Sequence, residues 1–117
     1  MRIFVFGSNL SGIHGAGAAR YAVDHHGAQY GQGVGLQGSS YAIPTKDYRI
    51  DTLSLQDIEP HVKVFVQFAK AHPELDFDLT PIGCGLAGYR RDQIRPLFGD
   101  LPDNVYLTPS WDDPDIN

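Results

Sequence analysis

The chain has 117 residues, of which 42% are hydrophobic, and a formal net charge of −5. That length predicts one domain with a core of ordinary size. The nine Lys and Arg residues are scattered, which excludes the basic stripe that bulk nucleic-acid binding requires. The single Cys excludes an internal disulfide framework. Since the sequence shows no signal peptide and no long apolar run, we expect a cytoplasmic protein without a membrane partner.

A strand, a Gly-rich loop and a helix are predicted at the start of the chain. Arg2–Phe6 is a nearly continuous apolar run, typical of a strand buried on both faces of a parallel sheet, and Gly7-Ser8-Asn9 is expected to end it. The small and apolar residues among positions 18–23 predict a helix. A Gly-rich turn that enters a helix leaves backbone N–H groups free beside the positive end of the helix dipole. These two features together favour the binding of a phosphate.

The rest of the chain alternates between predicted strands and helices. Gly27–Gly38 has no regular period and is predicted as a loop that crosses the sheet edge. The elements that follow are a strand at Ser39–Thr45, a helix within Leu55–Ala71, a strand at Asp76–Ile82, a short helix at Arg91–Phe98 and a strand at Asn104–Leu107. This order predicts an α/β fold with a mainly parallel sheet of about four or more strands, flanked by helices. We assign residues 1–109 to this domain and residues 110–117 to a loose, acidic tail.

Four residues predict local features of these elements. Pro44 is expected to end regular strand pairing, or to lie where its missing N–H is harmless. Ser54 and Asp57 resemble a capping box at the start of the second helix. Because Pro60 is compatible only with a first helical turn, the regular helix is predicted to begin near Asp57.

Candidate ligand residues follow three of the predicted strands. Gly12–Gly17 follows the first strand, Lys46 the second and Gly83–Tyr89 the third. Because the carboxyl ends of parallel strands meet at one edge of a sheet, we expect these groups to converge there. Neither Gly-rich loop has the spacing of a nucleoside-triphosphatase phosphate loop, and the first also lacks the dinucleotide-binding spacing. The sequence therefore predicts a site for a phosphate-bearing small molecule of another kind.

The order of these motifs resembles the macrodomain superfamily, in particular the branch of terminal ADP-ribose glycohydrolases and ADP-ribose readers. From Ile3 to Leu107, the resemblance is carried by an Asn after the first strand, Gly-Ala-Gly-Ala before the first helix, Tyr-Ala-Ile-Pro-Thr-Lys, and Pro-Ile-Gly-Cys-Gly-Leu. It implies a small three-layer fold that binds ADP-ribose. Macrodomains carry an upstream strand and acidic turn that grip adenine, and this chain starts at the strand bearing Asn9, so a shorter or altered nucleotide is the alternative ligand. We predict no cofactor and no metal site.

The resemblance also implies roles for individual residues. Asn9 matches the Asn that reaches the distal ribose, and Lys46 matches the lysine that attacks the anomeric carbon of that ribose in the glycohydrolase branch. A lysine in that role has to be uncharged. Because Ala87 stands where that branch has an acid, the acid/base partner is sought in Asp47 or Asp92. Independently of the resemblance, the alternative is a water molecule oriented by Asn9 and His14, so the predicted catalytic residues are Lys46, Asn9 and His14. The predicted ligand-binding residues are Gly7, Ser8, Asn9, Gly15, Ala16, Gly17, Thr45, Gly83, Cys84, Gly85, Leu86, Ala87, Gly88 and Tyr89.

Several alternatives stay open for single residues. Asn9 contacts the ligand or fastens the turn before the helix. His14 acts as an acid or base or is a solvated loop residue. Cys84 forms a nucleophilic pair with His14 or, as we favour, is a small buried side chain in a turn. Tyr89 stacks on a base or covers the second Gly-rich loop.

Four functions are compatible with this sequence. The first is binding of ADP-ribose or a related nucleotide with hydrolysis of an ADP-ribosyl conjugate on a protein or a nucleic acid. The second is binding without turnover, which Ala87 favours. The third is an ADP-ribose 1″-phosphatase that uses His14. The fourth is a structural module without a ligand, which would require the three candidate ligand elements to converge by chance.

Overall fold

A five-stranded sheet forms the centre of the fold in a computed structural model that describes residues 1–113. Its strands are β1 (Arg2–Asn9), β2 (Gly35–Gln37), β3 (Ser40–Lys46), β4 (Asp76–Leu79) and β5 (Val105–Leu107), in the order β2-β3-β1-β4-β5. β3 and β4 both pair with β1 in parallel, β5 pairs with β4 in parallel, and β2 pairs with β3 antiparallel. The predicted α/β fold with a mainly parallel sheet is therefore confirmed.

Helices cover both faces of this sheet. They are α1 (Gly17–His26), α2 (Leu55–Ala71) and α3 (Arg91–Ile94), with 3₁₀ helices at Arg95–Phe98 and Pro109–Asp112. The side chains of β1 alternate between the two faces, as they must in a strand. Phe4 and Phe6 pack with α1 residues, whereas Ile3 and Val5 belong to the larger core cluster that includes α2. The molecule thus has three layers, and its larger core lies between the sheet and α2.

The helix α2 presents one continuous apolar face to the core. Ile58, Val62, Phe65 and Ala69 are fully buried, at the three- and four-residue spacing of a helix face. The predicted cap is confirmed, since the Ser54 hydroxyl accepts a hydrogen bond from the backbone N–H of Asp57 at 3.1 Å.

The predicted start of α2 near Asp57 is wrong, because the helix begins at Leu55 and contains Pro60. A proline at that position removes the N–H that would bond to the carbonyl of Gln56, four residues earlier. Gln56 and Pro60 are both exposed. Water can therefore solvate the carbonyl left without a partner, which explains why the helix tolerates the proline.

Two strand ends differ from the predictions. β1 does not stop at Phe6, because β3 continues beside it as far as the pairing of Asn9 with Lys46. β4 ends at Leu79 rather than Ile82, where its pairing with β1 and β5 also ends. Backbone hydrogen bonds then turn the chain, with the N–H of Ile82 donating to the Thr80 carbonyl at 2.8 Å.

Pro44 lies where the strand pairing becomes irregular, as predicted. It faces Ser8 in the register of β1 and β3, and the register shifts between Ser8 and Asn9. A missing N–H has little effect at such an irregularity, since the regular ladder ends there anyway.

The strand β2 lies inside Gly27–Gly38, which was predicted as an irregular loop throughout. Two glutamine side chains order this stretch. The Gln32 amide donates to the carbonyls of Val34 and Leu36, and the Gln37 amide donates to the carbonyl of Gln32. Side-chain to backbone bonds of this kind follow no hydrophobic period, so the pattern of the sequence does not show them.

The predicted loose tail begins as an ordered segment. The indole of Trp111 packs against the core and donates to the Leu79 carbonyl at 2.7 Å. Arg91 donates to the carbonyls of Ser110 and Asp113. The loose-tail prediction is therefore wrong for residues 110–113, and residues 114–117 lie outside the described part of the chain. None of the helices within residues 1–113 has the length and hydropathy needed to cross a membrane.

Candidate ligand-binding site

A cleft opens at the carboxyl edge of the sheet, between the ends of β1 and β4. These strands are neighbours, yet the chain leaves β1 for α1 on one face and leaves β4 for α3 on the other. Divergent loops of this kind create the crevice in which open α/β sheets bind ligands. The cleft has a volume of about 540 Å³, within the range of small-molecule sites.

Three segments surround this cleft. We call residues 10–16 the first loop, residues 80–90 the second loop, and residues 47–54, which join β3 to α2, the connecting segment. The predicted residues that line the cleft are Gly7, Ser8, Asn9, Gly15, Ala16, Gly17, Thr45, Lys46, Gly83, Gly85, Leu86 and Ala87. Further lining residues, not predicted, are Ile13, Ala18, Ala19, Ile50, Thr80, Pro81 and Ile82. The predicted residues His14, Cys84, Gly88 and Tyr89 do not line it. The convergence of three strand ends is thus observed.

Each polar side chain that lines the cleft, apart from Lys46, donates a hydrogen bond within the fold. Ser8 donates to the Gly33 carbonyl, Asn9 to Ile13 at 2.7 Å, Thr45 to Ser8 at 3.3 Å, and Thr80 to Val5 at 2.6 Å. These bonds hold the strand ends in place. The three hydroxyls thus have no further hydrogen to donate, and only the second N–H of the Asn9 amide remains among these side chains.

Backbone N–H groups of both loops supply further donors. The helix α1 starts at the cleft with Ala16 as its N-cap, and neither a capping side chain nor an acidic residue in its first turn satisfies its N–H groups. In the second loop, the N–H groups of Gly85, Leu86 and Ala87 have no hydrogen-bond acceptor among residues 1–113. Two segments of the cleft lining therefore carry N–H groups without acceptors, and one of them is the positive end of a helix dipole.

Two glycines of the cleft wall are not required by the fold. A Cβ added to Gly15 or Gly85 would meet no protein atom within 4 Å, and neither residue has a positive φ. An alanine would thus fit both positions as far as the protein itself is concerned. Glycine at such a position allows a ligand to approach the backbone closely.

Lys46 is the one ionisable side chain among the described residues that line the cleft. It is half-buried at the end of β3. Both proposed acid partners are engaged elsewhere. The Asp47 carboxylate accepts from the N–H groups of Arg49 and Asp51 at 2.8 and 3.0 Å, and Asp92 pairs with Arg90 at 3.0 Å. The cleft thus combines a cation with N–H donors and contains no described carboxylate, which favours an anionic ligand.

Asn9 and His14 both fasten the first loop. The Asn9 side chain donates to the carbonyl of Ile13 and accepts from its N–H at 3.0 Å, the turn-fastening role considered above. His14 is fully buried rather than solvated, and its Nε2 lies 3.0 Å from the Gln32 carbonyl. Its ring also meets the face of Phe6 edge-on, with 5.3 Å between ring centroids. The structure does not bring His14 to the cleft.

Cys84 and Tyr89 both fasten the second loop. Cys84 is fully buried, its thiol donates to the Ile82 carbonyl at 3.4 Å, and burial raises its pKa to about 11. It is therefore a protonated thiol at neutral pH, as the buried alternative requires. The Tyr89 hydroxyl donates to the Leu53 carbonyl at 2.7 Å, which fits its role as a cover of the loop.

The connecting segment joins the two loops, a role that sequence reasoning missed. The Ser11 hydroxyl of the first loop donates to the Tyr48 carbonyl at 2.7 Å. The Thr52 hydroxyl donates to the Ala87 carbonyl of the second loop at 3.1 Å. The one sequence signal was Asp47, an acid directly after a strand, which predicts a turn but not these contacts.

Comparisons with protein-family models, curated proteins and solved structures found no match to this chain. Within residues 1–113, no group of three or more His, Cys, Asp or Glu side chains is placed to hold a metal ion. What the cleft binds is therefore inferred from its geometry and chemistry.

Proposed function

We propose that the cleft binds ADP-ribose or a related nucleotide through its diphosphate, as a binding protein. The observation that carries this proposal is the pair Gly15 and Gly85, two lining glycines that the fold itself does not require. Each lies in or beside a set of N–H groups without acceptors. Backbone donors reached through glycine are the usual way to hold phosphate oxygens.

The arrangement of the donors suits two linked phosphates better than one. The N-terminus of α1 and the second loop both line the cleft, after strands whose chains leave the sheet on opposite faces, and Lys46 adds a positive charge. A diphosphate offers acceptor oxygens to both segments at once. The resemblance to macrodomains supports ADP-ribose as the nucleotide, because it rests on these same two loops.

Hydrolysis of an ADP-ribosyl conjugate is a second candidate, favoured by the presence of Lys46 in the cleft. In that reaction the uncharged amine of Lys46 would attack the anomeric carbon, the bond from that carbon to the conjugate would break, and the leaving group would take up a proton; water would then cleave the new lysine–ribose bond and release ADP-ribose and the free amine. None of the described residues that line the cleft is a carboxylic acid able to supply that proton. The geometry therefore favours binding over turnover. It also gives no support to the phosphatase alternative, since His14 is buried outside the cleft.

Calorimetric titration with ADP-ribose, with AMP and ribose 5-phosphate as controls, tests the binding proposal. We expect ADP-ribose to bind well above both controls, because neither control contains a diphosphate. Lys46→Ala should weaken ADP-ribose binding about tenfold through the loss of one charged contact. Lys63→Ala is the matched control, since Lys63 lies exposed on α2 outside the cleft. Absence of ADP-ribose binding to the unchanged protein would refute the proposal.

Turnover is separated from binding by Lys46→Arg, which keeps the positive charge and removes the amine nucleophile. The unchanged protein and this variant are incubated with ADP-ribosylated protein and ADP-ribosylated DNA. For a binding protein, we expect neither to release ADP-ribose while both bind it. Release by the unchanged protein that Lys46→Arg abolishes would establish the hydrolase instead.

A further inference from the structure

Ile50 has a backbone conformation that isoleucine rarely adopts. Its φ is 66°, and within residues 1–113 every other residue with a positive φ is glycine. The left-handed region disfavours a β-branched side chain, because its branches crowd the backbone. An outlier of this kind persists only where its surroundings enforce it, and such positions concentrate at functional sites.

The side chain of Asp47, three residues before Ile50, enforces this conformation. The Asp47 carboxylate accepts from the N–H groups of Arg49 and Asp51, on either side of Ile50. The backbone closes the same turn, since the N–H of Asp47 donates to the Asp51 carbonyl at 2.8 Å and that of Ile50 to the Asp47 carbonyl at 3.2 Å. Four hydrogen bonds thus fix the turn that presents the Ile50 side chain.

The side chain so presented lines the cleft. Ile50 is 38% exposed, and it comes four residues after Lys46, which also lines the cleft. The two loops on either side contribute Ile13 and Leu86, which are 54% and 74% exposed. Besides the N–H donors and the lysine, the cleft therefore has an exposed apolar lining. A bare phosphate or diphosphate would leave this apolar surface without a contact.

We infer that Ile50 determines specificity, by packing against an uncharged ring of the ligand, a sugar or a base, while the phosphates occupy the N–H donors. This role rests on the proposed function, since it assumes that a phosphate-bearing ligand occupies the cleft. It makes the ligand a nucleotide or sugar phosphate rather than a simple phosphate. It also gives the strained turn a role, because this turn brings Ile50 to the cleft lining.

The test uses ADP-ribose and inorganic pyrophosphate as probes, and two variants that differ in one group. Ile50→Val and Ile50→Thr are both β-branched and nearly equal in shape, so they share the same backbone constraint and differ by a methyl against a hydroxyl. We expect Ile50→Thr to bind ADP-ribose about tenfold more weakly than Ile50→Val, with equal affinities for pyrophosphate. Tyr48→Ala is the control on the same turn, since Tyr48 is 71% exposed and does not line the cleft.

A third variant, Ile50→Gly, separates the contact from the strain. Ile50→Ala loses nearly the same side-chain contacts but keeps an unfavourable positive φ, so Ile50→Gly should unfold at a temperature equal to or higher than that of Ile50→Ala. Its ADP-ribose affinity should nevertheless fall at least as far as that of Ile50→Thr. If Ile50→Gly unfolds at a clearly lower temperature than Ile50→Ala, the strained conformation is not what the structure indicates and the inference loses its basis.

The binding outcomes distinguish this inference from the proposed function. If the unchanged protein binds ADP-ribose, but Ile50→Val and Ile50→Thr bind it equally, the role of Ile50 is refuted and the proposed function stands. Equal losses of ADP-ribose and pyrophosphate binding in Ile50→Thr would also refute it, because the residue would then act on the phosphate site. If the unchanged protein binds neither probe, the proposed function itself fails.

Discussion

Each of the two loops contains buried residues, which we call inner, and exposed residues at the cleft wall, which we call outer. The two kinds obey different constraints. In the first loop, an added Cβ on Gly12 would lie 2.4 Å from backbone atoms of Gly31 and Gln32, whereas one on Gly15 would meet nothing within 4 Å. In the second loop, Cys84 is fully buried, whereas an added Cβ on the adjacent Gly85 again meets nothing. The inner residues are thus fixed by packing, whereas the fold places no such constraint on Gly15 and Gly85.

This difference shows what a Gly-rich loop can and cannot indicate. A glycine that lets two backbones approach closely would be needed in any protein with this fold, so it carries no evidence for a ligand. A glycine in open space at a cleft wall is not needed for that reason, and it leaves room for a ligand to approach the backbone closely. The two kinds are indistinguishable in the sequence, and substitutions separate them.

The largest effect is expected for Gly12→Ala. Its Cβ would overlap backbone atoms that have no flexible side chain to move aside, and its φ of 70° is unfavourable for alanine. We expect a loss of about 3 kcal/mol or more in the free energy of unfolding, measured by urea denaturation.

Gly31→Ala is the matched control for that substitution. Gly31 also has a positive φ, of 90°, but an added Cβ would meet nothing within 4 Å. Gly31→Ala should therefore lower the free energy of unfolding only by the cost of a positive φ in alanine, about 1 kcal/mol. Equal losses for the two variants would mean that conformation alone, and not the close approach of two backbones, accounts for Gly12.

A smaller and pH-dependent effect is expected from Cys84, the inner residue of the second loop. Burial raises its pKa from 9.0 to about 11. The unfolded chain therefore releases this proton at a lower pH than the folded protein does. The resulting contribution to stability is complete below pH 9 and is lost as the pH rises through about 11. We expect Cys84 to account for a fall of about 2 kcal/mol across that interval.

Cys84→Ala isolates this contribution in urea denaturation at pH 8 to 11. Burial also raises the pKa of Tyr41, so part of the pH dependence will persist in the variant. The measured quantity is therefore the difference in slope between the two proteins. Parallel curves would show that the thiol of Cys84 is accessible to solvent and does not have the raised pKa.

The convergence of the strand ends could be predicted because its signals are local. Buried parallel strands appear as short apolar runs, and Lys46 and the glycines directly follow such runs. The buried face of α2 could also be predicted, because its apolar residues recur at the spacing of a helix. From these signals the sheet edge, both loops and Lys46 followed, whereas most of the other lining residues were assigned through the resemblance to macrodomains.

The remaining features depend on contacts between distant parts of the chain. His14 is buried because the segment of Tyr30 and Gln32 folds over it, and nothing adjacent to it in the sequence indicates this. The conformation of Ile50 arises from one carboxylate that closes a turn, and the sequence shows only the aspartate. Residue type and spacing therefore predicted the position of the cleft better than the roles of the side chains within it.

The smallest effect on stability, and the most informative for function, is expected for Gly85→Ala. Alanine fits the backbone and meets no protein atom, so the free energy of unfolding should be unchanged or rise by up to about 1 kcal/mol. Its methyl group would nevertheless stand beside the N–H donors of the second loop. We therefore expect ADP-ribose affinity, measured by calorimetry, to fall about tenfold or more.

Gly88→Ala, three residues further along the same loop, should behave in the opposite way. Gly88 does not line the cleft, and its φ of 89° makes alanine unfavourable, so this variant should lose about 1 kcal/mol of stability and keep its affinity for ADP-ribose. Loss of stability without loss of binding in one variant, and loss of binding without loss of stability in the other, would show that a ligand rather than the fold requires glycine at position 85. If Gly85→Ala instead binds ADP-ribose as the unchanged protein does, the open glycines are not ligand contacts and the backbone of the second loop does not hold the diphosphate.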